Sequence, residues 1–173
     1  SCKPGNGLDS SGTCEIVPSK GGSVIVKTTR GGKLASQVIT YTFLPNGIMD
    51  MDVTLTPQAK ELRRAGLVAS INPGLRKVNY WAYGPWENYN DRKENCMVGR
   101  FDTTVDDMVV YYQKPQSMGG REGLRELTLT NAKGQGIRIE TQGDVAFSAL
   151  PYTDIKLANT QHMWELKKDA FIT

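Results

Sequence analysis

Cysteine is scarce in this chain: Cys2, Cys14 and Cys96 are the only three in 173 residues, and no two stand in a C-x-x-C pair. That spacing excludes a zinc ribbon and a dithiol redox motif. The odd count leaves at least one thiol free, while a Cys2–Cys14 bridge across a Gly/Ser-rich loop stays open, because connectivity cannot be read from sequence. The single histidine, His162, reads as a packed strand residue rather than a catalyst. No run approaches the ~18 apolar residues a membrane helix needs, and no charged-then-apolar leader with a cleavage site opens the chain. Neither sign of charge dominates: 21 Lys and Arg stand against 18 Asp and Glu, interleaved along the chain. No basic stripe exists to track a phosphate backbone, so neither nucleic acid nor membrane is an expected partner. Cofactor motifs, internal repeats and low-complexity tracts are missing too, and neither a metal nor a cofactor is expected.

What remains is a strand-rich pattern of ordinary domain length, enough to bury roughly two-thirds of the unfolded surface without staples. Residues 1–22, rich in Gly, Ser, Lys and Pro, predict an irregular segment with one short strand at 13–17. From residue 23 the period is two. Val24-Ile25-Val26 begins a strand, Arg30-Gly31-Gly32-Lys33 turns it, and Ile39, Tyr41 and Phe43 alternate with Thr40 and Thr42 on the return. Asn46-Gly47 predicts a two-residue turn with positive φ angles, after which Met49, Met51, Val53 and Leu55 alternate with Asp50, Asp52, Thr54 and Thr56. Further strands are predicted at 66–71, 77–83, 108–113, 124–130 and 136–141. Helix is rare: Thr153 caps a short one reaching Thr160, and residues 56–64 form at most a turn. Many antiparallel strands and almost no helix predict an all-β, large antiparallel sandwich over residues 23–173.

The chemistry is densest in Tyr83-Gly84-Pro85-Trp86-Glu87-Asn88-Tyr89-Asn90-Asp91-Arg92. Flat aromatic faces suit the C–H faces of sugars, and acids, amides and a guanidinium suit their hydroxyls, so a polar ligand is expected here. A plainer account stands beside it. Gly84-Pro85 makes a turn, Asn88 and Asp91 bond their own backbone, Trp86 or Tyr89 covers a core edge, and a Glu87–Arg92 salt bridge latches the loop. Trp86 is the best ligand candidate of the three tryptophans. Trp81 and Trp164, alternating with neighbours on predicted strands, read as structural. Arg121 and Arg125, close together on a strand, are expected to bind acids of neighbouring strands.

The same loop, Gly-Pro-x-Glu-Asn-Tyr-x-Asp-Arg from Gly84 to Arg92, resembles the signature of the C-terminal, small-chain domain of family-2 glycoside hydrolases of the β-galactosidase type. Similar to that domain as well, and in its order, are Val98-Gly99-Arg100-Phe101, Tyr112-x-x-Pro115-Gln116-x-x-Gly119, Arg125-x-Leu127-x-Leu129-x-Asn131, Gly134-x-Gly136 and Phe147-Ser148-Ala149-Leu150-Pro151-Tyr152. The last of these reads as a packed corner leading to the short helix. Upstream of Val78 the resemblance lies in strand pattern and spacing alone.

The resemblance implies a galactose mutarotase-like supersandwich and a loop bordering an active-site mouth, with Gly84 as hinge and Trp86, Glu87, Asn88, Tyr89, Asp91 and Arg92 shaping it. It implies that the two catalytic carboxylates, about 5–5.5 Å apart in a retaining enzyme, belong to a barrel domain of the same polypeptide. No residue here is then catalytic, Glu87 and Asp91 included, since spacing on a loop sets no such geometry. Mutarotases of that fold use a histidine pair, which one histidine does not supply. In the family the sandwich runs on past the point where this chain reads Ala170-Phe171-Ile172-Thr173, so a piece of a larger enzyme is expected, inactive alone and acting on terminal β-D-galactosides. The partners implied are a galactoside or other glycan, the barrel and, left open, a second copy. A soluble protein is expected, in a bacterial periplasm or cytoplasm. Two other classes stay open: a stand-alone carbohydrate-binding module, and an interaction domain without ligand.

Overall fold

The computed structural model describes residue 8 and residues 11–19, 21–62 and 64–173, which fall into two compact units. The first, Gly5–Gly66, is a four-stranded antiparallel meander: β1 (Gly12–Val17), β2 (Val24–Arg30), β3 (Ala35–Phe43) and β4 (Met49–Pro57), in that order across the sheet. Its register follows the two-residue period. Ile39, Tyr41 and Phe43 stand opposite Val53, Met51 and Met49, so the apolar members share one face and Thr40, Thr42, Asp50 and Asp52 take the other.

The connection between β3 and β4 differs from the expected two-residue turn. Leu44 N–H donates to Ile48 O, Gly47 N–H donates to Leu44 O, and Gly47 alone has positive φ, +84°. Pro45 holds its own φ negative, which favours a longer loop with a single left-handed residue, and Asn46 Oδ1 accepts from the Ile48 N–H instead.

The second unit contains Leu67–Thr173 and holds the apolar core. Its sheet runs β6-β5-β7-β8, with β5 at Lys77–Gly84, β6 at Met97–Thr104, β7 at Glu126–Thr130 and β8 at Gly136–Glu140, every pairing antiparallel. Alternation along β5 buries Val78, Tyr80 and Ala82 against Leu127 and Leu129 of β7 and against Val105, Met108, Met118, Leu150, Leu157 and Ile172. The Tyr80 ring lies 5.4 Å from both Phe101 and Phe147, within the range where tilted and edge-on aromatic pairs attract. α1 (Asp154–Asn159) is capped by Thr153, whose side chain accepts from the Lys156 N–H, and Thr160 closes it. The fold is therefore all-β, with one short helix and one 3-10 turn, Met163–Glu165, among the described residues.

Several local expectations fail for physical reasons. Strand β6 is not predicted by the pattern: opposite Ala82, Tyr80 and Val78 it carries Gly99, Phe101 and Thr103, while its apolar Met97 and Val98 are exposed, so hydrophobicity does not alternate. Residues 108–113 form no strand; Thr104 and Asp107 exchange hydrogen bonds in a turn that drops Met108 into the core. Residues 66–71 contribute only a bridge, Ile71 to Ile172. Trp164 is 80% exposed on the 3-10 turn rather than in the core, and His162, at the cap of that turn, stacks on it at 4.2 Å. Trp81 sits on the solvent face of β5 under the guanidinium groups of Arg100 and Arg125.

The two arginines expected to bind acids do not. Arg121, buried, donates to Tyr80 Oη and Gly120 O, and Arg125 donates to Gly123 O; Glu126 is instead held by Arg100 and Arg138. Ala149, Leu150, Pro151 and Tyr152 are buried, as a packed corner requires. Cys14 and Cys96 are free thiols, and the Cys2 half of the open bridge question lies outside the described residues. No helix among the described residues is long and apolar enough to cross a membrane.

Candidate functional site

The loop begins where β5 ends. Gly84 pairs with Met97 and is buried, and a Cβ there would stand 2.8 Å from the Phe101 ring and 2.8 Å from Tyr80 Oη. Close approach thus gives Gly84 a packing reason of its own. Gly84→Ala is expected to lower stability by about 1–3 kcal/mol, the usual range for overpacking. Equilibrium urea unfolding checks this, and an unchanged midpoint would count against the tight fit.

Asn88 is the interior post of the loop, with no exposed surface. Its Nδ2 donates to Tyr83 O (3.1 Å) and Trp86 O (2.9 Å), its Oδ1 accepts from Glu122 N–H (2.8 Å), and its own N–H reaches Gly120 O (2.9 Å). Paired bonds between the Tyr89 and Arg92 backbones then close the loop around Asn90 and Asp91, both exposed.

Glu87 is the second anchor, its side chain only 8% exposed. One carboxylate oxygen accepts from the Arg92 guanidinium and from the Tyr112 hydroxyl; the other accepts from Gly119 N–H at 2.7 Å. Arg92 also donates to Tyr112 Oη (3.1 Å). Burial, and next the hydrogen bond to Glu87, raises the Tyr112 phenol above its ordinary pKa. The Tyr89 phenol is pushed well up, by burial first and the Glu87 charge second, against a smaller lowering from the Gly120 backbone. The expected Glu87–Arg92 latch is present. The expected backbone bonding is present for Asn88, and Asp91 makes no such bond among the described residues.

Trp86 lies between these fixed points and is 68% exposed. It borders an open hollow of about 370 Å³, whose other walls are Glu87, Arg92, Asn95, Val110 and Tyr112. The structure therefore brings three of the expected residues, Trp86, Glu87 and Arg92, to one hollow. Asn88 and Gly84 stand behind it as supports, and Tyr89 packs with Arg92 over its ring. Tyr112 and Gly119 were not singled out as site residues, although the segment Tyr112-x-x-Pro115-Gln116-x-x-Gly119 contains both. Asn95 and Val110 carried no signal.

The beta galactosidase small chain family model matches residues 7–173. The β-galactosidase of Priestia megaterium is 29% identical over 152 residues, which cover 87% of this chain and 15% of that protein. That of Lactobacillus delbrueckii subsp. bulgaricus is 32% identical over 160 residues, 89% of this chain and 15% of its own length. That of Photobacterium profundum is 32% identical over 140 residues, 79% of this chain and 13% of its own. The chain thus spans 13–15% of the length of these relatives.

Proposed function

The chain belongs to the β-galactosidase small-chain family, and from that premise we propose that it is the C-terminal sandwich domain of an enzyme hydrolysing terminal β-D-galactosides. Its sheets are parts of a supersandwich, and the loop from Gly84 to Arg92 borders the active-site mouth and contacts the sugar there. The acid/base and the nucleophile come from a barrel domain elsewhere in the same polypeptide. Within this loop Glu87 is occupied by three donors, which suits a structural carboxylate better than one free to exchange protons with substrate.

The observation that carries the reading is the exposed Trp86 at the rim of a hollow, on a backbone fixed from behind by Glu87 and Asn88. Tryptophan is usually well buried, and a rigid loop holding one in solvent suits stacking on a ligand. The hollow's volume lies in the ~300–1,000 Å³ range of small-ligand sites. In the full-length enzyme, Trp86→Ala is expected to raise KM for lactose by roughly tenfold, about 1.4 kcal/mol of lost binding, with the melting temperature unchanged. Steady-state kinetics on lactose tests this; an unaltered kcat/KM would remove the loop from the mouth.

A further inference from the structure

The 3-10 turn Met163–Glu165 holds a tryptophan in water on a fixed mount. Met163 and Leu166 pack against the core, and the turn between them is closed by Glu165 N–H to His162 O (3.1 Å) and Leu166 N–H to Met163 O (3.1 Å). Glu165 ties it from outside: one carboxylate oxygen accepts from the N–H groups of Gln161 (3.2 Å) and His162 (3.1 Å), and the other meets His162 Nδ1 at 3.2 Å. That bond to the imidazole, ahead of the backbone ones, holds the Glu165 carboxyl below its ordinary pKa. The imidazole so fixed lies nearly parallel to the Trp164 indole, with 11° between the planes and 4.2 Å between centroids. One indole face is thus backed, and Trp164 is still 80% exposed, so the other face is open.

The exposed neighbours of this ring in the chain are polar: Gln161, His162, Glu165, Lys167 and Lys168. Docking of another protein calls for a contiguous apolar patch, whereas a sugar calls for one flat aromatic face with donors and acceptors at its rim. Both kinds of group are here. A carboxylate only accepts, so the Glu165 contact places the ring hydrogen on Nδ1 and leaves Nε2 of the neutral imidazole as an acceptor. The Trp164 indole N–H donates, and the Gln161 carboxamide does either. We propose that the His162–Trp164 stack is a second saccharide platform, sharing no residue with the hollow at Trp86, which takes a neutral galactose-type unit on the open indole face. A galactopyranose suits it because the axial hydroxyl leaves one ring face to C–H groups. The inference rests on the reading above only in its choice of galactose as the sugar. The turn supplies preorganisation: with the imidazole behind it, Trp164 has little rotamer freedom left to lose on binding. One such platform gives millimolar affinity, which suits a tether for longer galactosides rather than a reaction site.

Heteronuclear NMR of the isotope-labelled chain reads the three indole N–H signals singly, once Trp81→Phe, Trp86→Phe and Trp164→Phe have assigned them. Galactobiose is the probe, and glycerol is the control for a polyol without a ring face. The Trp164 signal is expected to move saturably with galactobiose and to stay fixed in glycerol at equal hydroxyl concentration. His162→Ala, which removes the backing ring and the Nε2 acceptor, should weaken that titration roughly three- to tenfold, the scale of one aromatic contact. In Trp164→Ala the backbone amide signals of residues 161–166 should no longer respond to galactobiose, with the melting temperature unchanged, because the indole lies outside the core. A Trp164 signal that ignores galactobiose or follows glycerol equally would overturn the proposal, as would parent-like affinity in His162→Ala. A Trp164 signal that moves with protein concentration and not with sugar would overturn it too, and would make the turn a contact between copies. The mouth reading is tested apart from this: a responsive Trp164 with unaltered lactose kcat/KM in Trp86→Ala would keep the platform and remove the loop from the mouth, and the opposite pattern would do the reverse.

Discussion

Asn88→Leu is expected to lower the stability of the chain by about 3–5 kcal/mol, because a leucine of similar size leaves Tyr83 O, Trp86 O and Glu122 N–H without the partner that Asn88 supplies. Each buried polar group left unsatisfied costs about 1–3 kcal/mol, and water cannot readily enter, since Asn88 has no exposed surface. Against a typical domain stability of roughly 5–15 kcal/mol, that is a large share. Urea unfolding should show the midpoint falling with the slope unchanged. Asn88→Asp is the sharper comparison: it keeps the acceptor for Glu122 N–H but turns an oxygen toward the two carbonyls that Nδ2 now serves. It should therefore be destabilised as well, despite being nearly isosteric. A loss below about 1 kcal/mol for the leucine variant would mean that the loop has no need of its post.

The same residue shows what a sequence can and cannot announce. Strands β1, β2, β3, β4, β5, β7 and β8 were readable because apolar and polar residues alternate along them or turn residues bound them, and the Thr153 cap of α1 was readable from a single hydroxyl before a short run. Strand β6 was not, because Gly99 and Thr103 occupy core-facing places that a hydrophobic count scores as polar. Trp81 and Trp164 misled for the opposite reason. Tryptophan is usually buried, yet Trp81 faces outward with the guanidinium groups of Arg100 and Arg125 over its ring, and Trp164 meets the imidazole of His162 and stays 80% exposed, so neither enters the core.

Within the candidate site, composition marks out a ten-residue loop but not the division of labour among its side chains. Glu87 and Asn88 are adjacent, both polar, and equally suited to a sugar hydroxyl. What turns them inward is Gly119, Gly120, Glu122 and Tyr112, which lie 25 to 34 residues on for the Glu87 and Asn88 side-chain bonds. No local pattern encodes that pairing. Trp86 and Arg92 are left to face solvent because the interior positions of the loop are already filled.

Glu87→Gln is the substitution that separates the anchor from its charge. Glutamine keeps one acceptor oxygen but places an NH₂ where a second oxygen now receives Gly119 N–H or the Tyr112 and Arg92 donors, so at least one of those donors is opposed by another. The expected loss is about 2–4 kcal/mol, the scale of breaking a mostly buried, charge-assisted cluster. An independent electrostatic signature accompanies it. The Glu87 charge raises the phenol pKa of both Tyr112 and Tyr89, in each case behind burial as the larger cause. Removing that charge should bring both phenols down, while burial keeps them above the ordinary value near 10. Absorbance titration at alkaline pH, compared with Tyr112→Phe, reads this directly: the variant should ionise these phenols at lower pH than the parent chain. Because the shift depends on charge and not on fold stability, coincident titration curves for Glu87→Gln and the parent would show that the carboxylate does not face these rings, and the clasp would then have to be sought elsewhere along the loop.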